Sequence, residues 1–517
     1  MTDAILTSAE MQALERRAFA EGISAEGLMD AAGAGMARFI LNRQLVPGVC
    51  IAYLGKGNNA GDAIVVAHWL EAAGWAIQLR LVSPEDELGP LARLKLEQLG
   101  SGFRRLAAAP VSFDLDFPLI CLDGLLGIGG RPGLAPEYIR LTRELNQLRL
   151  DHRAIVYAVD VPTGVSDEDV APDAVTADVT LTVAFAKSGL LQAEAVNHAG
   201  HVEIVPLREL SSRLESKPDR SLWTTAASLA SLVPRRLTDS HKGDYGRLGV
   251  VAGSRGFVGA AVMTSRAGLK SGIGLLTLYV QDDIYGIVAA KADPEVMVKP
   301  VNSLCDVLAD RLDAIAIGPG LGQSRADDVL RIIREFTGPM VVDADALNVL
   351  AHSPDNLDQL AGPRLFTPHP GEMSRLWPKS GNNRAETART FTARYPITLL
   401  LKGARTIVAE RDRPLAYNST GTPAMATGGS GDLLTGVCGA LIARQISPYD
   451  AARLGAWLCG RAGELALAGE SEESLLPEQT LLTLGEAFNG IRGMEGSQPA
   501  RRSLGEGGSP RSPATGL

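Results

Sequence analysis

The chain of 517 residues is too long for one ordinary hydrophobic core, so about two to three domains are expected. A hydrophobic content of 45% with 21% charged residues is typical of a soluble globular enzyme. The formal net charge of −9 argues against a nucleic-acid partner, because phosphate backbones require a basic surface.

The first residues, MTDAILTSAEM, lack the basic and apolar regions of a secretory signal, so none is expected. No apolar run is long enough to span a bilayer, so no membrane partner is expected either. The five cysteines are scattered and include no CxxC pair. We therefore expect reduced thiols and a cytoplasmic protein.

Strand-like runs alternate with amphipathic stretches over residues 1–210, where the runs are VCIAYLG, AIQLRLV, PLICLDG, AIVYAVD, ADVTLTVAF and HVEIVPL. A second series over residues 222–493 includes RLGVVAGS, AIAIGPG, PMVVDAD and PITLLLKG. This pattern predicts an α/β protein of two domains with mainly parallel sheets. The polar residues 211–221 are the predicted linker, and the Gly-, Ser-, Pro- and Arg-rich residues 494–517 are a predicted disordered tail. Two strand series imply separate cores, so a chain beginning near Ser221 should fold alone.

A glycine loop, GKGNNAGDA, follows the first predicted strand of the N-terminal half. Ligands of doubly wound sheets bind at the carboxyl ends of the strands, so the position of this loop indicates a pocket. Asn58, Asn59 and Asp62 supply amide and carboxylate groups that suit a cation or a polar ring. An asparagine-rich tight turn is the structural alternative.

Two further predicted strands end in polar residues. Asp123 follows one strand in CLDGLLGIGGRPG, and Asp160 follows another in AVDVPTG, with Thr163 close behind it. One such aspartate is usually a turn or helix-cap residue. Three neighbouring strand ends together indicate a crevice lined with oxygen atoms, which suits a hard cation such as potassium.

In the C-terminal half, the segment ATGGSGDLLTG predicts a phosphate-binding loop followed by a helix. Asp432 in this segment is a candidate base, and a helix N-cap is the alternative. KGART, residues 402–406, offers two cations and a hydroxyl to nucleotide phosphates, or forms a solvated basic turn. Asp343 and Asp345 either help to hold Mg²⁺ through water or cap the next helix.

Taken together, these motifs resemble those of the NAD(P)H-hydrate repair proteins over about residues 8–493. GKGNNAGDA, CLDGLLGIGGRPG, AVDVPTG and AFAKSGL are similar to the N-terminal, Rossmann-like epimerase domain of that family. The C-terminal motifs are similar to its ribokinase-like dehydratase domain: HKGDYGRLGVVAGSRGFVGAA, AIGPGLG, VVDADALN, FTPHPGE, LLKGARTIVA and MATGGSGDLLTG. The resemblance implies repair of NADH and NADPH whose nicotinamide ring has been hydrated at C6.

For the epimerase half, the resemblance implies potassium ligands at Asn59, Asp123 and Thr163. It also implies a set of hydrate-binding residues: Asn58, Asn59, Ala60, Gly61, Asp62, Gly127, Ile128, Gly129, Gly130, Arg131, Pro132, Gly133, Tyr138 and Asp160. Asp160 is the best acid/base candidate, because epimerisation moves protons to and from the hydroxylated carbon or its ring-opened form. Ala60 and Ala63 replace residues that are usually glycine, and Thr163 replaces serine. Strain at Ala60 is expected if its φ is positive.

For the dehydratase half, the resemblance implies hydrate contacts at Ala260, Gly320, Leu321, Gly322, His369 and Asp432. It implies nucleotide contacts at Lys402, Gly403, Ala404, Arg405, Thr406 and Gly431. Mg²⁺ and ADP are the implied cofactor and phosphoryl donor, ADP being favoured over ATP by the domain order. Thr422 and Ala424 depart from the family pattern, and a homo-oligomer is expected.

The implied chemistry is dehydration through a phosphorylated hydrate, with Asp432 taking the hydroxyl proton. Two alternatives belong to other classes of protein. One is a kinase of a small hydroxylated metabolite with a non-catalytic N-terminal domain. The other is an N-terminal domain that only binds a cofactor-like ligand.

Overall fold

The computed structural model describes residues 3–99, 102–107, 117–130, 133–379, 381 and 383–493. The predicted tail at 494–517 and two predicted hydrate-binding residues, Arg131 and Pro132, lie outside these described residues.

The N-terminal half forms a sheet of seven parallel strands in the order β4-β3-β2-β5-β6-β7-β9. Its strands, together with the short pair β1 and β8, are β1 (Ile5–Leu6), β2 (Val49–Leu54), β3 (Ala76–Leu81), β4 (Phe103–Arg105), β5 (Leu119–Gly124), β6 (Ile155–Val159), β7 (Val179–Val183), β8 (Ala186–Lys187) and β9 (His201–Val205). Its helices are α1 (Ser8–Ala20), α2 (Ala25–Arg43), α3 (Asn58–Ala72), α4 (Pro90–Leu99), α5 (Pro136–His152), α6 (Val196–Ala199) and α7 (Arg208–Ser211). Short 3₁₀ helices cover Glu85–Glu87 and Ser188–Leu191.

The C-terminal half forms a sheet of ten strands in the order β10-β19-β18-β17-β16-β15-β14-β11-β12-β13. Its strands are β10 (Leu222–Thr224), β11 (Arg247–Val251), β12 (Leu275–Gln281), β13 (Met297–Val301), β14 (Ala314–Ile317), β15 (Met340–Val342), β16 (Arg364–Phe366), β17 (Thr398–Leu401), β18 (Ile407–Ala409) and β19 (Ala416–Asn418). Neighbouring strands are parallel, except that β18 runs antiparallel to both β17 and β19.

Helices of the C-terminal half are α8 (Ala226–Leu229), α9 (Val258–Lys270), α10 (Asp282–Lys291), α11 (Ala326–Glu335), α12 (Ala344–Ala351), α13 (Pro370–Leu376), α14 (Arg384–Arg394), α15 (Ser430–Ala443), α16 (Pro448–Ala466) and α17 (Pro477–Ile491). Its 3₁₀ helices cover Ala230–Leu232, Lys242–Tyr245, Leu304–Ala309, Pro354–Asp358 and Pro423–Met425.

Each sheet is covered on both faces, as its strand sequences require. In β2, Cys50, Ala52 and Leu54 join one buried cluster, while Ile51 and Tyr53 join the cluster on the opposite face. A strand buried on both faces reads as a continuous apolar run rather than an alternating one, because helices cover both faces of a parallel sheet. The predicted α/β fold class is confirmed.

The two halves share one apolar cluster, in addition to the buried clusters that lie within each half. Ile5, Val161 and Val202 of the first half belong to the same buried cluster as Trp223 and Ile317 of the second. The start of the chain also extends towards strand β10. The Trp223 amide donates to the Asp3 carbonyl at 2.6 Å, and the Ile5 amide donates to the Ser221 carbonyl at 3.0 Å.

The predicted linker at 211–221 is tied to the first helix rather than free. Arg213 forms an ion pair with Glu21 at 2.6 Å, at the end of α1. Lys217 and Arg220 reach Glu10 near the start of the same helix, at 2.9 and 3.3 Å. These contacts fix the path between the halves and hold α1 in place.

The structure bears on the expectations about the cysteines and about membrane-spanning segments. All five cysteines are free, and all except Cys305 are buried. Among the helices of the described ranges, none combines the length and the hydropathy needed to cross a bilayer.

Because the halves share a core, a chain beginning at Ser221 should be less stable than the intact protein. Arg405 of the second half donates to the Gly200 carbonyl of the first at 2.6 Å, and the fragment leaves this buried guanidinium without that acceptor. Such a loss costs about 1–3 kcal/mol, before the exposure of apolar surface is counted. We expect a melting temperature at least about 5 °C lower in thermal unfolding. Arg405→Ala in the intact chain measures the share of this one contact, and equal melting of fragment and whole chain would contradict the shared core.

Candidate active sites

Asp160 lies at the carboxyl end of β6 and faces a cleft of about 390 Å³. Its carboxylate accepts from the Lys187 ammonium at 2.5 Å, the Val183 amide at 3.0 Å and the Thr182 hydroxyl at 3.2 Å. Its backbone has a φ of 65°, a left-handed conformation that costs about 1–2 kcal/mol for residues other than glycine. Strained polar residues of this kind concentrate at functional sites.

The same cleft brings together most of the predicted hydrate-binding residues. Asn58, Asn59, Asp62, residues 127–130 and Asp160 all line it. Gly133 instead lines a separate cavity of about 20 Å³, and Tyr138 packs against the apolar cluster on the other face of the sheet. The sequence motifs placed all of these residues in one site, because a motif gives positions along the chain and does not show which face of the sheet a residue lies on.

The asparagine-rich loop is the start of a helix, so the tight-turn alternative is wrong. Helix α3 begins at Asn58, and Ala60 and Ala63 are fully buried within it. Neither alanine has a positive φ, so the strain considered for Ala60 is absent. An added methyl at Gly124 would lie 2.5 Å from the Ala63 side chain, which shows how closely the helix approaches β5.

Asp123 and Thr163 form a buried pair next to this helix. The Thr163 amide and hydroxyl donate to the two Asp123 oxygens, each at 2.7 Å. Burial raises the pKa of Asp123 to about 6, although these hydrogen bonds and one from the Leu125 amide oppose the rise. Asn59 lies close to the glycine loop after β5, since an added methyl at Gly127 would be 3.0 Å from its Oδ1.

Two charged groups of the first site were missed at the sequence level. Lys187 is 1% exposed and pairs with Asp160. Glu15 on α1 lines the cleft, and burial, followed by the charge of Asp160, raises its pKa. A lysine inside the apolar run AFAKSGL was a usable signal for Lys187. Glu15 carried no signal, because it looks like any charged position on an amphipathic helix.

The second site lies at the carboxyl ends of neighbouring strands β15, β16 and β17. Asp343 follows β15 and binds Lys402, which follows β17, at 2.8 Å. The Thr435 hydroxyl of α15 donates to the other Asp343 oxygen at 2.7 Å. Although Asp343 occupies the N-cap position of α12, its side chain makes no capping bond, so the capping alternative does not describe it.

Asp432 lies in the first turn of α15, the helix that the sequence predicted at this place. The helix begins at Ser430 with Gly429 as its N-cap, so Asp432 is not the N-cap. Burial raises the pKa of Asp432 to about 6, the charge of Asp343 adds to the rise, and Lys402 opposes it. Gly429 has a φ of 98°, and an added methyl there would lie 2.7 Å from the Met263 sulfur, so only glycine fits this turn.

The space in front of this helix is narrow and charged. A methyl added at Gly431 would lie 3.5 Å from the Lys402 ammonium and 3.6 Å from an Asp343 carboxylate oxygen. Asp432, the helix N-terminus and the Lys402–Asp343 pair therefore surround one small volume. Such a volume suits a group that carries negative charge while a proton is removed next to it.

The KGART loop is folded back on the protein, so the solvated-turn alternative is wrong. Lys402 is held by Asp343, and the Arg405 guanidinium reaches the Gly200 carbonyl of the first half and stacks over the Trp223 ring at 5.1 Å. Burial lowers the pKa of Arg405 to about 10. Arg384 binds the carbonyls of residues 401, 402 and 404 and fixes the loop from the side of α14.

Gly320, Leu321 and Gly322 lie on a braced loop after β14, and Ala260 lies in helix α9. The Ser254 hydroxyl donates to the Gly320 carbonyl at 2.7 Å, and the Gly322 amide donates to Asp345 at 2.8 Å. Leu321 is buried, and Ala260 lies against Gly320. The predicted GPGLG loop is therefore held from β11 and from α12, and Asp345 acts as its support.

His369 begins helix α13 and has a defined orientation. Its Nδ1 accepts from the Gly371 amide at 3.0 Å and from the Glu372 amide at 3.3 Å, so Nε2 carries the ring proton. The two flanking prolines predicted a stiff turn, and the capping box with Glu372 fixes the orientation of the imidazole ring. The departures Thr422 and Ala424 lie before helix α15, where the Thr422 hydroxyl accepts from the Ala424 amide at 3.3 Å.

The molecule is thus an α/β enzyme with two carboxylate sites, one at the carboxyl edge of each sheet. Within the described residues, no three His, Cys, Asp or Glu side chains form a metal-binding group. A family model described as "NAD(P)H-hydrate dehydratase" matches residues 248–484, and one described as "YjeF-related protein N-terminus" matches residues 25–189.

Whole-length relatives extend these matches. The bifunctional NAD(P)H-hydrate repair enzyme Nnr of Moorella thermoacetica is 34% identical over 91% of this chain and 94% of its own length. The enzyme of the same name from Escherichia coli K12 is 35% identical over 88% of each chain. The chain belongs to the family of bifunctional NAD(P)H-hydrate repair enzymes, which confirms the family inferred from the motifs.

Solved structures match the second half. An ADP/ATP-dependent NAD(P)H-hydrate dehydratase from Bacillus subtilis, co-crystallised with ATP and Mg²⁺, is 28% identical with a TM-score of 0.47. The match covers 52% of this chain and 98% of the Bacillus subtilis chain.

Asp432→Asn should make the protein more stable at alkaline pH. Because the folded-state pKa is raised to about 6 from an ordinary 3.8, the ionised carboxylate destabilises the fold above that pH. We expect the variant to melt above the wild type at pH 8, with a difference that vanishes as the pH falls to about 4. Thermal unfolding across this range measures it, with the exposed Asp239→Asn as the control of equal charge. A variant that melts below the wild type at pH 8 would show that the carboxylate stabilises the fold.

Proposed function

We propose that the chain epimerises the R and S forms of hydrated NADH and NADPH and dehydrates the S form to the reduced cofactor. The dehydration uses ADP as phosphoryl donor and gives AMP and phosphate. The observation that carries this proposal is the position of Asp432 in the first turn of α15, facing the Lys402–Asp343 pair. A cytoplasmic, homo-oligomeric protein completes the proposal, and its five free cysteines support that location.

Asp432 is proposed as the base of the dehydration. Its carboxylate takes the proton of the C6 hydroxyl as that oxygen attacks the terminal phosphorus of ADP, and the bond to AMP breaks. Loss of a proton from C5 and departure of phosphate from C6 then restore the ring double bond. The amides of the helix N-terminus stabilise the negative charge that develops on the transferred group. Ala260, residues 320–322 and His369 are proposed to hold the hydrate.

The nucleotide is proposed to bind along residues 402–406 and at Gly431. Lys402 supplies a charge fixed by Asp343, whereas Arg405 contributes only its backbone, because its guanidinium is engaged by Gly200. Mg²⁺ would accompany the nucleotide and neutralise its phosphates. Asp345 and Asp343 are the nearest carboxylates for contact through water, which suits an ion that keeps several of its waters.

Asp160 is proposed as the base of the epimerisation. Three donors bind its carboxylate and fix its position at the wall of the cleft. Asn58, Asn59, Asp62 and Gly127 to Gly130 form part of the wall of the cleft that would receive the hydrated ring.

A potassium ion is proposed at Asn59, Asp123 and Thr163. Asp123 is fully buried and forms no ion pair with a basic side chain of the described ranges, so a cation would balance its charge. One carboxylate with an amide and a hydroxyl suits a monovalent ion, since Ca²⁺ and Mg²⁺ sites usually collect more carboxylates. The bound ion would supply positive charge that fixes the loops after β5 and β6.

Incubating the protein with both epimers and either ADP or ATP tests the overall proposal, with reduced-nicotinamide absorbance as the readout. Consumption of both epimers with ADP supports it. A stable phosphorylated product would favour a kinase. Ligand binding without epimer exchange would favour an N-terminal domain that only binds a cofactor-like ligand.

Asp432→Asn should reduce dehydration roughly 10²–10⁴-fold, because it removes the base. The loss should appear in kcat with nucleotide and hydrate affinities nearly unchanged, since an amide keeps the size of the side chain. Initial rates with the purified S epimer measure it, and Asp239→Asn is again the control. Near-full turnover would show that Asp432 does not act as the base.

Epimer exchange should depend on potassium through Asp123. Asp123→Ala should abolish exchange and leave dehydration of the S epimer intact, because the second site lies on the other sheet. Potassium should also bind less tightly below about pH 6, where Asp123 takes up a proton. Exchange is measured by chromatography with potassium replaced by a bulky organic cation at equal ionic strength. Thr163→Ser should retain exchange activity as the matched control. If neither Asp123→Ala nor the replacement of potassium changes the exchange rate, the proposed cation site is wrong.

A further inference from the structure

Helix α1 presents a polar row to the epimerase cleft. Gln12, Glu15 and Phe19, spaced at three and four residues, line the cleft, while Met11 and Leu14 are buried in the core. The Gln12 amide donates to the Ile128 carbonyl at 3.2 Å, so the helix is fixed to the glycine loop of the site. The position of Glu15 is thus set by the fold, although the helix comes from a distant part of the sequence.

Glu15 differs from Asp160 in its partners. Asp160 is held by three donors, whereas Glu15 forms no hydrogen bond or ion pair with any residue that the structure describes. The charges that face it are those of Asp160 and Lys187 from the sheet and Arg16 from its own helix, and Asp62 of α3 lines the same cleft. A half-buried carboxyl beside a fixed carboxylate favours its protonated form.

We propose that Glu15 is the acid of the epimerase site and works opposite Asp160 as the base. This inference rests on the proposed epimerase function. Two carboxyl groups whose surroundings favour opposite protonation states form an acid–base pair.

The chemistry of the hydrate requires such a pair. Asp160 removes the proton of the C6 hydroxyl, the oxygen forms a double bond to C6, and the bond from C6 to N1 breaks. The electron pair of that bond moves to N1, which takes the proton from Glu15. Rotation about the C5–C6 bond presents the other face of the aldehyde. Closure reverses each transfer, returning one proton to Glu15 and the other to the hydroxyl oxygen.

Loss of the hydroxyl as water would be a poor route for this site. It would leave a double bond between N1 and C6, and that cation becomes the reduced cofactor by losing one proton from C5. An epimerase working in this way would dehydrate both forms without a nucleotide. Ring opening keeps the oxygen on C6 and therefore keeps the two activities separate.

Asp62 is the competing acid, because it also lines the cleft. Burial raises its pKa well above the ordinary value, and Asp160 and Glu15 add to the rise. Glu15 is assigned as the acid because its helix is fixed to the glycine loop of the site through Gln12. Asp62 is then assigned a hydrogen bond to the hydrate.

Glu15→Gln tests the inference in the full chain. Epimer exchange should fall roughly 10²–10⁴-fold in kcat. KM should change little, and dehydration of the S epimer should remain at the wild-type rate. The rate of the wild type should fall at high pH as Glu15 loses its proton. The variant should lose this high-pH limb.

Three controls make the outcome decisive. Glu97→Gln, an exposed position on α4, should leave exchange unchanged. Glu15→Asp should restore part of the exchange activity together with its fall at high pH. This variant also tests the assignment if Glu15→Gln does not fold. Wild-type exchange in Glu15→Gln, or loss of the high-pH limb in Asp62→Asn alone, would overturn the assignment. No exchange in the wild type would instead contradict the proposed epimerase function.

Discussion

Buried carboxylates at the carboxyl ends of parallel strands determine how both halves are arranged. Moving a charged carboxylate out of water costs several kcal/mol unless donors or cations replace the water. Asp160 has Lys187 and the Val183 amide, and Asp343 has Lys402 and Thr435. Each partner comes from a different element, so the loops, strands and helices of each site must meet at one place for the protein to fold.

The partners also explain how similar residues take different roles. Asp160 is bound by donors, whereas burial, followed by the charge of Asp343, raises the pKa of Asp432 to about 6. Asp432 therefore binds and releases a proton close to neutral pH, as a base in a repeated cycle must. Thr435 and Lys402 hold the Asp343 carboxylate in place beside Asp432.

Much of the fold was predictable because strand sequences in parallel sheets are continuous apolar runs. Val49–Leu54 and the helix after residue 429 lie where the sequence indicated. The resemblance could name Asp160 and Asp432, since both lie in motifs read along the chain. It could not show that Tyr138 lies on the other face of the sheet, or that Glu15 faces Asp160, because these facts depend on contacts between distant segments.

Arg405 shows most clearly what a motif leaves out. In the sequence it is one of two cations in a loop suited to phosphates, and nothing distinguishes it from Lys402. In the structure its guanidinium leaves the loop, binds Gly200 and stacks on Trp223, so it holds the two halves together. The loop proposed to hold the nucleotide is thus anchored in the domain proposed to exchange the epimers. The two domains are therefore linked by this contact as well as by the chain itself.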